Sequence, residues 1–491
     1  MPRTRLSLLA AGALVLALPV GPLAAQSGEV ITRQYPDGGI YEGTFLDGLQ
    51  HGQGTFRLPN GFEYSGEWVE GQITGQGVAR YPNGSVYEGG FLDGRPHGQG
   101  RMVFADGSSY EGGWDEGAIT GAGIRRFATG VVYEGEFLDG QPHGQGRMER
   151  PGGLIYDGEW VHGQREGRGT ITYPDGSVYT GEMRADHRHG EGRLERPDGT
   201  IYDGEWAEGM LHGAGRLTLP TGDRREGVFE AGMLQGLGRL ELADGGIYEG
   251  EFVDDLRHGQ GRLTSADGHV YTGSWVADRI DGEGALTHPD GTRYEGQFRD
   301  GLPDGQGRIT YPDGTSYEGT WSEGRMEGQG RADFGDGLVY EGTFRAGQPH
   351  GQGVMVFADE RVYEGAFAEG LFEGAGVLTY PDGARFEGAF AAGEKHGTGR
   401  LELADGSVYE GEWRGGRIEG RGVARYVTGD VYEGEFVDGQ REGVGALRYA
   451  TGEVARGIWR AGVLVEPEPE PEAVEDDETE EAEDAAPAAA D

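Results

Sequence analysis

Cysteine is absent from the 491 residues, which excludes disulfide staples, thiolate metal sites and a cysteine nucleophile whatever the compartment. Lysine is almost absent too, since Lys395 is the only one. Without a Gly-x-x-x-x-Gly-Lys-Ser/Thr motif, the many glycine-rich stretches, such as residues 94–100, read as turn chemistry and not as phosphate cradles. Positive charge is scarce as a whole: 42 Lys and Arg stand against 85 Asp and Glu, a formal net charge of −43. Nucleic acid or anionic lipid would need a dense basic cluster to overcome that field, and none is present, so no nucleic-acid partner is expected and binding to anionic membrane is disfavoured. Long apolar runs are missing beyond the N-terminus.

The N-terminus itself reads Met1-Pro-Arg-Thr-Arg, an apolar run from Leu6 to Val20, then small residues ending at Ala24-Ala25. That order of charged, apolar and small segments is expected of a secretory signal peptide over residues 1–25. An uncleaved anchor is the weaker reading, because the run falls short of the ~20 residues that span a bilayer.

Glycine is abundant, with 99 residues, yet aromatics reach 10%, too many for a disordered low-complexity chain. Periodicity explains both. Tyr recurs every 23 residues, as at Tyr41, Tyr64, Tyr87 and Tyr110, and the register holds to position 455, with only Arg225, Phe386 and Ala455 departing from Tyr. Nineteen repeat starts result, and residues 32–40 match the second half of a further unit. Counting Tyr as position one, positions one, three and five lie on one face of an extended strand. They hold Tyr, an unvarying Gly, then mostly Phe or Trp, while the acidic second position, as at Glu88, faces solvent. A loop over residues 92–98 is expected to lead to a second strand from Gly100, with Met102 and Phe104 sharing a face. An Asp-Gly or Asn-Gly pair, such as Asp106-Gly107, then turns the chain back to the next Tyr. Hairpins alone are marginal, so successive units must pair edge to edge. The expected fold is all-β, an elongated single-layer antiparallel β-meander or solenoid of about nineteen 23-residue hairpin repeats, occupying residues 26–465.

The unit Tyr-x-Gly-x-Phe/Trp-x-x-Gly-x-x-x-Gly-x-Gly, as in residues 133–146, resembles the MORN repeat, which is also 23 residues long. The resemblance covers nearly all of the chain after the signal peptide. It implies an elongated β-meander used for protein association, membrane-proximal tethering or assembly scaffolding. Some relatives carry an appended kinase or methyltransferase domain, and this sequence shows none.

Candidate chemistry is thin. A histidine column, His51, His97, His143, His189, His212, His258, His350 and His396, precedes a loop glycine. Equivalent positions in neighbouring units hold Thr74, Thr120, Glu166, Asp281 or Glu327, and successive units lie roughly 10 Å apart, too far for one metal to bridge. A role in loop packing is therefore expected, with no metal site. Units with Phe45, Phe91 and Phe137 alternate with units holding Trp68, Trp114 and Trp160, a 46-residue super-period that fades around Met183. Acidic pairs such as Asp254-Asp255 read as solvated surface, and no unique Ser, His and Asp set can be assembled. Catalytic, cofactor-binding and metal-binding residues are accordingly expected to be none, and no enzyme is expected. Four departures stand out: Arg225 in place of the core Tyr, and Asp186, Asp255 and Asp278 in place of loop Gly. They read as a bend, a dimer contact or drift.

From Glu466 the sequence becomes Glu-Pro-Glu-Pro-Glu-Pro-Glu and then acidic and Ala-rich, so residues 466–491 are expected to be a disordered acidic tail that protects an open sheet edge or engages a basic partner. The functional expectation is a non-enzymatic exported scaffold, periplasmic or secreted in a bacterial envelope, that binds an unidentified protein partner or itself. The alternative is a module binding envelope glycan or a membrane surface, motivated by rows of aromatic rings that could stack on sugars.

Overall fold

The computed structural model describes residues 28–468. The expected signal peptide and the tail beyond Glu468 lie outside the described residues. These residues form 39 β-strands and no helix. They fall into two units that divide between Met233 and Leu234. Within each unit every strand pairs antiparallel with the strands before and after it in sequence, as in the successive pairings from Val86 to Asp115 and from Ile247 to Val276.

One repeat supplies a seven-residue strand, such as Val86–Leu92, and a nine-residue strand, such as Arg95–Val103. The second strand thus begins five residues before Gly100, a correction to the sequence reading. Asp93 and Gly94 both adopt left-handed backbone, with φ of 48° and 78°, and two such residues make the tightest hairpin turn, whose twist matches that of the strands. The residues read as loop are absorbed by a bulge: Gly89 lies opposite Gly100 and Phe91 opposite Pro96, so that His97, Gly98 and Gln99 face Gly90 alone. Gly98 takes the left-handed conformation this requires, with φ of 77°. A bulge interrupts the two-residue period by which a strand is recognised, and for this reason the segment reads as loop. Toward the next hairpin the same strand pairs regularly, Gly98 with Trp114 and Gly100 with Gly112.

The other turn follows expectation. Phe104 N–H donates to the Ser108 carbonyl at 2.8 Å and Gly107 N–H to the Phe104 carbonyl at 3.0 Å. The Asp106 carboxylate accepts from Ser108 N–H at 2.9 Å, a local bond that explains why Asp or Asn precedes the glycine.

The core is the row of position-one rings. Tyr87 is fully buried, although a single layer of sheet offers no second sheet to cover it. Its ring lies over the backbone of Gly89 and Gly100: a Cβ on Gly100 would sit 2.5 Å from Tyr87 Cζ, and one on Gly89 would sit 2.5 Å from Gly100 Cα. The phenol donates to the Gly90 carbonyl at 2.9 Å. Ring edges close the remaining sides, with Phe91 at 5.0 Å and Trp114 of the next unit at 5.1 Å, both near perpendicular. Tyr110 repeats the arrangement with Trp114 and Phe137. Each edge-to-face contact adds about 0.5–1.5 kcal/mol beyond area burial, so the ladder of rings couples each hairpin to the next. Phe and Trp fill the same slot, and Trp adds a bond, Trp114 Nε1–H donating to the Gly100 carbonyl at 3.2 Å.

The bare glycine is therefore a steric requirement. Replacing Gly by Ala at an ordinary extended position stabilises by reducing the freedom of the unfolded chain, whereas Gly100→Ala should displace a locked ring at a cost of about 1–3 kcal/mol. Urea denaturation of the full chain should show a lower midpoint, and an unchanged or higher one would mean that the ring does not need the glycine.

Candidate functional site

No side-chain set in the described residues stands apart from the repeat, so the functional surface is sought in what each column of the repeat displays. The rings of the core column are covered by the residue at position ten, which is apolar at Ile119 and Leu234, both buried. In other units a cation takes this place. The Arg188 guanidinium lies 4.0 Å over Trp206, Arg257 lies 4.3 Å over Trp275, and Arg441 lies 4.4 Å over Trp459. Lys395, the one lysine, sits 4.9 Å over Trp413 and donates to the Tyr380 hydroxyl at 2.9 Å. Long aliphatic stems cover the ring and cation–π attraction holds the head. Part of the scarce positive charge is thereby turned onto the protein's own rings.

The same column explains two of the aspartates. Asp278, standing where most units have loop Gly, keeps a left-handed φ of 68°, and its carboxylate accepts from both the backbone N–H and the Nε of Arg257, at 3.0 and 2.9 Å. Asp186 does the same for Arg165, at 3.1 and 3.0 Å. Asp255 accepts from Leu234 N–H at 3.0 Å. Each aspartate therefore ties its turn to the preceding hairpin, offsetting the strain of a side chain in that conformation. The three share this local role, which only the pairing of two columns 21 residues apart reveals.

The histidine column lies in the bulge beside the next turn. His258 Nδ1 stands 3.5 Å from Ala277 N–H, and acidic residues at the same position make the equivalent bond: Glu166 accepts from Ala185 N–H at 2.9 Å, Glu327 from Ala346 at 2.8 Å and Glu442 from Ala461 at 2.8 Å. His258 thus takes the acceptor role of these glutamates, whereas Nδ1 of His51, His97 and His143 is buried without a hydrogen-bond partner. His97 also faces Asp115 at 3.3 Å. Among the described residues no three His, Asp or Glu side chains converge as a metal site.

Two columns do face outward. On the face opposite the rings, Arg at position fifteen pairs across strands with the acid at position two of the next unit: Arg193 with Asp203 at 3.2 Å, Arg331 with Glu341 at 3.3 Å and Arg400 with Glu410 at 3.5 Å. Exposed pairs of this kind contribute about 0–1 kcal/mol each, so their effect is on pairing specificity and surface pattern more than on stability. The second column was missed in the sequence. At the turn between repeats, position eighteen carries Tyr311, Phe334, Tyr426 and Tyr449, with 37 to 45% of each exposed. The pattern Tyr-Pro-Asp-Gly draws attention to its turn residues, and nothing in it distinguishes a ring that stays wet from one that is buried.

Arg225 keeps the strand in register, opposite Leu217, and Phe229 beside it remains buried. The division between the two units falls within this repeat. Nothing else in the structure explains the replacement.

The buried phenols are perturbed accordingly. Burial pushes the hydroxyls of Tyr87, Tyr110 and Tyr363 up to about 12. Because the folded value exceeds the roughly 10 of a free tyrosine, the neutral phenols contribute their full stability below pH 10, and it is lost as pH rises toward 12. An alkaline titration should show phenolate absorbance from this column rising together with loss of the far-ultraviolet strand signal. Ionisation of the column near pH 10 with the strand signal intact would contradict this.

Comparison with known proteins places the pattern. A family model described as the MORN repeat matches eighteen consecutive segments, from residues 41–62 and 64–86 through 409–431 and 432–454. The ninth begins at residue 226, just past Arg225, and the start at Ala455 lies outside the matches. Alsin from Rattus norvegicus is 46% identical over 50 residues, 9% of this chain and 3% of that protein, and human Alsin is 44% identical over the same length. The chain thus spans a small fraction of these relatives. Among solved structures, the TCP10 domain of Danio rerio CPAP with a STIL peptide aligns at 18% identity over 50% of this chain and 94% of that one, with a TM-score of 0.23. The Drosophila melanogaster SAS-4 TCP domain with a proline-rich motif of Ana2 aligns at 15% identity over 32% and 84%, with a TM-score of 0.22. Scores this low carry no inference about partners.

Proposed function

We propose that this chain, which belongs to the MORN-repeat family, is an exported, non-enzymatic scaffold that displays repeated surface columns to a protein partner or to further copies of itself. The observation that carries the reading is the division of labour among columns. Core rings, capping cations and turn aspartates are occupied within the array, while the Arg and acid rows and the half-exposed position-eighteen rings recur outward at the repeat spacing. Aromatic side chains with a polar tip are enriched where proteins meet. Export rests on the N-terminal sequence alone, residues 1–25. The core rings that motivated the glycan reading, Tyr87 and Phe91 among them, are buried and cannot stack on a sugar.

Cross-linking in the intact expressing cell, followed by capture of the full chain and of a version ending at Val465, tests this. Recovery of a defined protein, or of the chain itself, is the expected result, and its loss on truncation would assign recognition to the acidic tail. Recovery of sedimentable glycan without protein would overturn the proposal.

A further inference from the structure

The two ends of the array are halves of one strand. Counting Tyr as position one, an internal second strand runs from position nine to position seventeen, as in Gln440–Arg448. The first strand of the array, Ile31–Gln34, holds positions fourteen to seventeen of a unit whose earlier part is not in the array. The last, Val463–Pro467, holds positions nine to thirteen of the unit begun at Ala455. No position is missing and none is duplicated.

We propose that copies of the chain join head to tail, with Val463–Pro467 of one copy and Ile31–Gln34 of the next completing one second strand between them. The proposal rests on the scaffold reading and names its partner as a second copy. The register follows from the internal units. There Val431 pairs with Arg448, Tyr432 with Leu447, Glu433 with Ala446 and Gly434 with Gly445. The same register sets Val454, Ala455, Arg456 and Gly457 opposite Gln34, Arg33, Thr32 and Ile31 of the next copy. The other edge of Ile31–Gln34 already pairs with Ile40–Gly43, as internal strands pair with the unit that follows.

Three departures from the repeat meet at this joint, and they compensate one another. Position fourteen is Gly in every complete second strand and Ile at residue 31. A side chain there would strike the ring of a position-one Tyr, as a Cβ on Gly445 would meet the Tyr432 ring at 2.5 Å. The unit facing Ile31 is the one whose Tyr has become Ala455, so a large residue is set against a small one where all other units have the reverse. Position two is basic only at Arg456. In the joined register Arg456, Thr32 and Glu42 form one cross-strand row, with opposite charges at its ends.

The N-terminal end is also left incompletely covered. Phe91 is buried against Tyr64 of the preceding unit, with ring centres 5.0 Å apart. Phe45 has no position-one tyrosine of a preceding unit beside it among the described residues, is only half-buried, and is covered by the Arg33 guanidinium at 4.3 Å. In the single chain the start of its own tail occupies this edge, with Pro467 opposite Gly457 and Glu468 N–H donating to the Arg456 carbonyl at 2.8 Å, so joining requires Pro467 to shift into the bulge, where internal units hold position thirteen, and Glu468 to leave the edge to Ile31. Pro467 cannot donate to a ladder, which leaves this cover of the edge replaceable.

A chain without cysteine makes the test direct. Full chain carrying both Thr32→Cys and Arg456→Cys should give, on mild oxidation, a disulfide-linked ladder of dimers, trimers and longer species that collapses to monomer with reductant. The two single variants mixed should give dimer only. The off-register pair Gln34→Cys with Arg456→Cys should trap markedly less. In sedimentation across a concentration series, Ala455→Tyr should weaken association about tenfold or more, and Ile31→Gly in the same chain should restore it. Absence of in-register trapping, with monomer at every concentration, would overturn the proposal, while recovery of another protein in the cellular cross-linking would leave the scaffold reading standing. Trapping by Thr32→Cys alone would indicate head-to-head pairing and would overturn this register specifically.

Discussion

A tyrosine ring lying on two bare glycines is the contact on which the other features of the array depend. A single sheet has no facing layer to bury its side chains, and a ring standing upright would remain wet. Laid over Gly89 and Gly100, Tyr87 uses the backbone itself as its lower surface, and its hydroxyl finds a carbonyl without leaving the sheet. From this follow the unvarying glycines at positions three and fourteen, the edge-on Phe or Trp at position five, and the capping residue at position ten. The same contact sets the limits of the array: where position fourteen becomes Ile31, the opposing position one that would suit it is the Ala455 of another copy.

Much of the architecture was legible in the sequence because a 23-residue period repeated without slippage turns weak local signals into a strong one. Strand faces, the aromatic and glycine columns and the Asp106-Gly107 turn were all read from spacing. The start of the second strand was not, because the bulge at His97 and Gly98 breaks the alternation that marks a strand. The roles of Arg257 and Asp278 were hidden for another reason. Residues 21 apart become neighbours only when hairpins pair, and a single column viewed alone shows Asp278 as a lapse from glycine. The half-exposed row at Tyr311 and Tyr449 depends on the depth of a turn relative to the sheet, which residue identity does not encode.

The chemistry of the columns also accounts for the charge balance. Arg188, Arg257, Lys395 and Arg441 turn inward onto indole rings, and Arg193, Arg331 and Arg400 on the opposite face are paired with acids. The field of the acidic excess is left to dominate the surroundings, which disfavours nucleic acid and anionic lipid and keeps like surfaces apart except where geometry is specific. A scaffold made of many similar units needs such discrimination, because every exposed column is a potential site for misaligned pairing.

Hydrogen exchange of the full chain carrying Tyr294→Ala tests the central claim most directly, since that ring contacts Phe298 of its own hairpin and Trp321 of the next. If rings on glycine couple the hairpins, protection should fall in strands Arg293–Arg299 and Leu302–Thr310 and extend into the neighbouring Arg279–Thr287 and Ser316–Ser322. Strands from Arg385 onward should keep theirs. Loss confined to the mutated strand, or no loss at all, would show that backbone pairing alone holds the array and that the ring ladder is incidental.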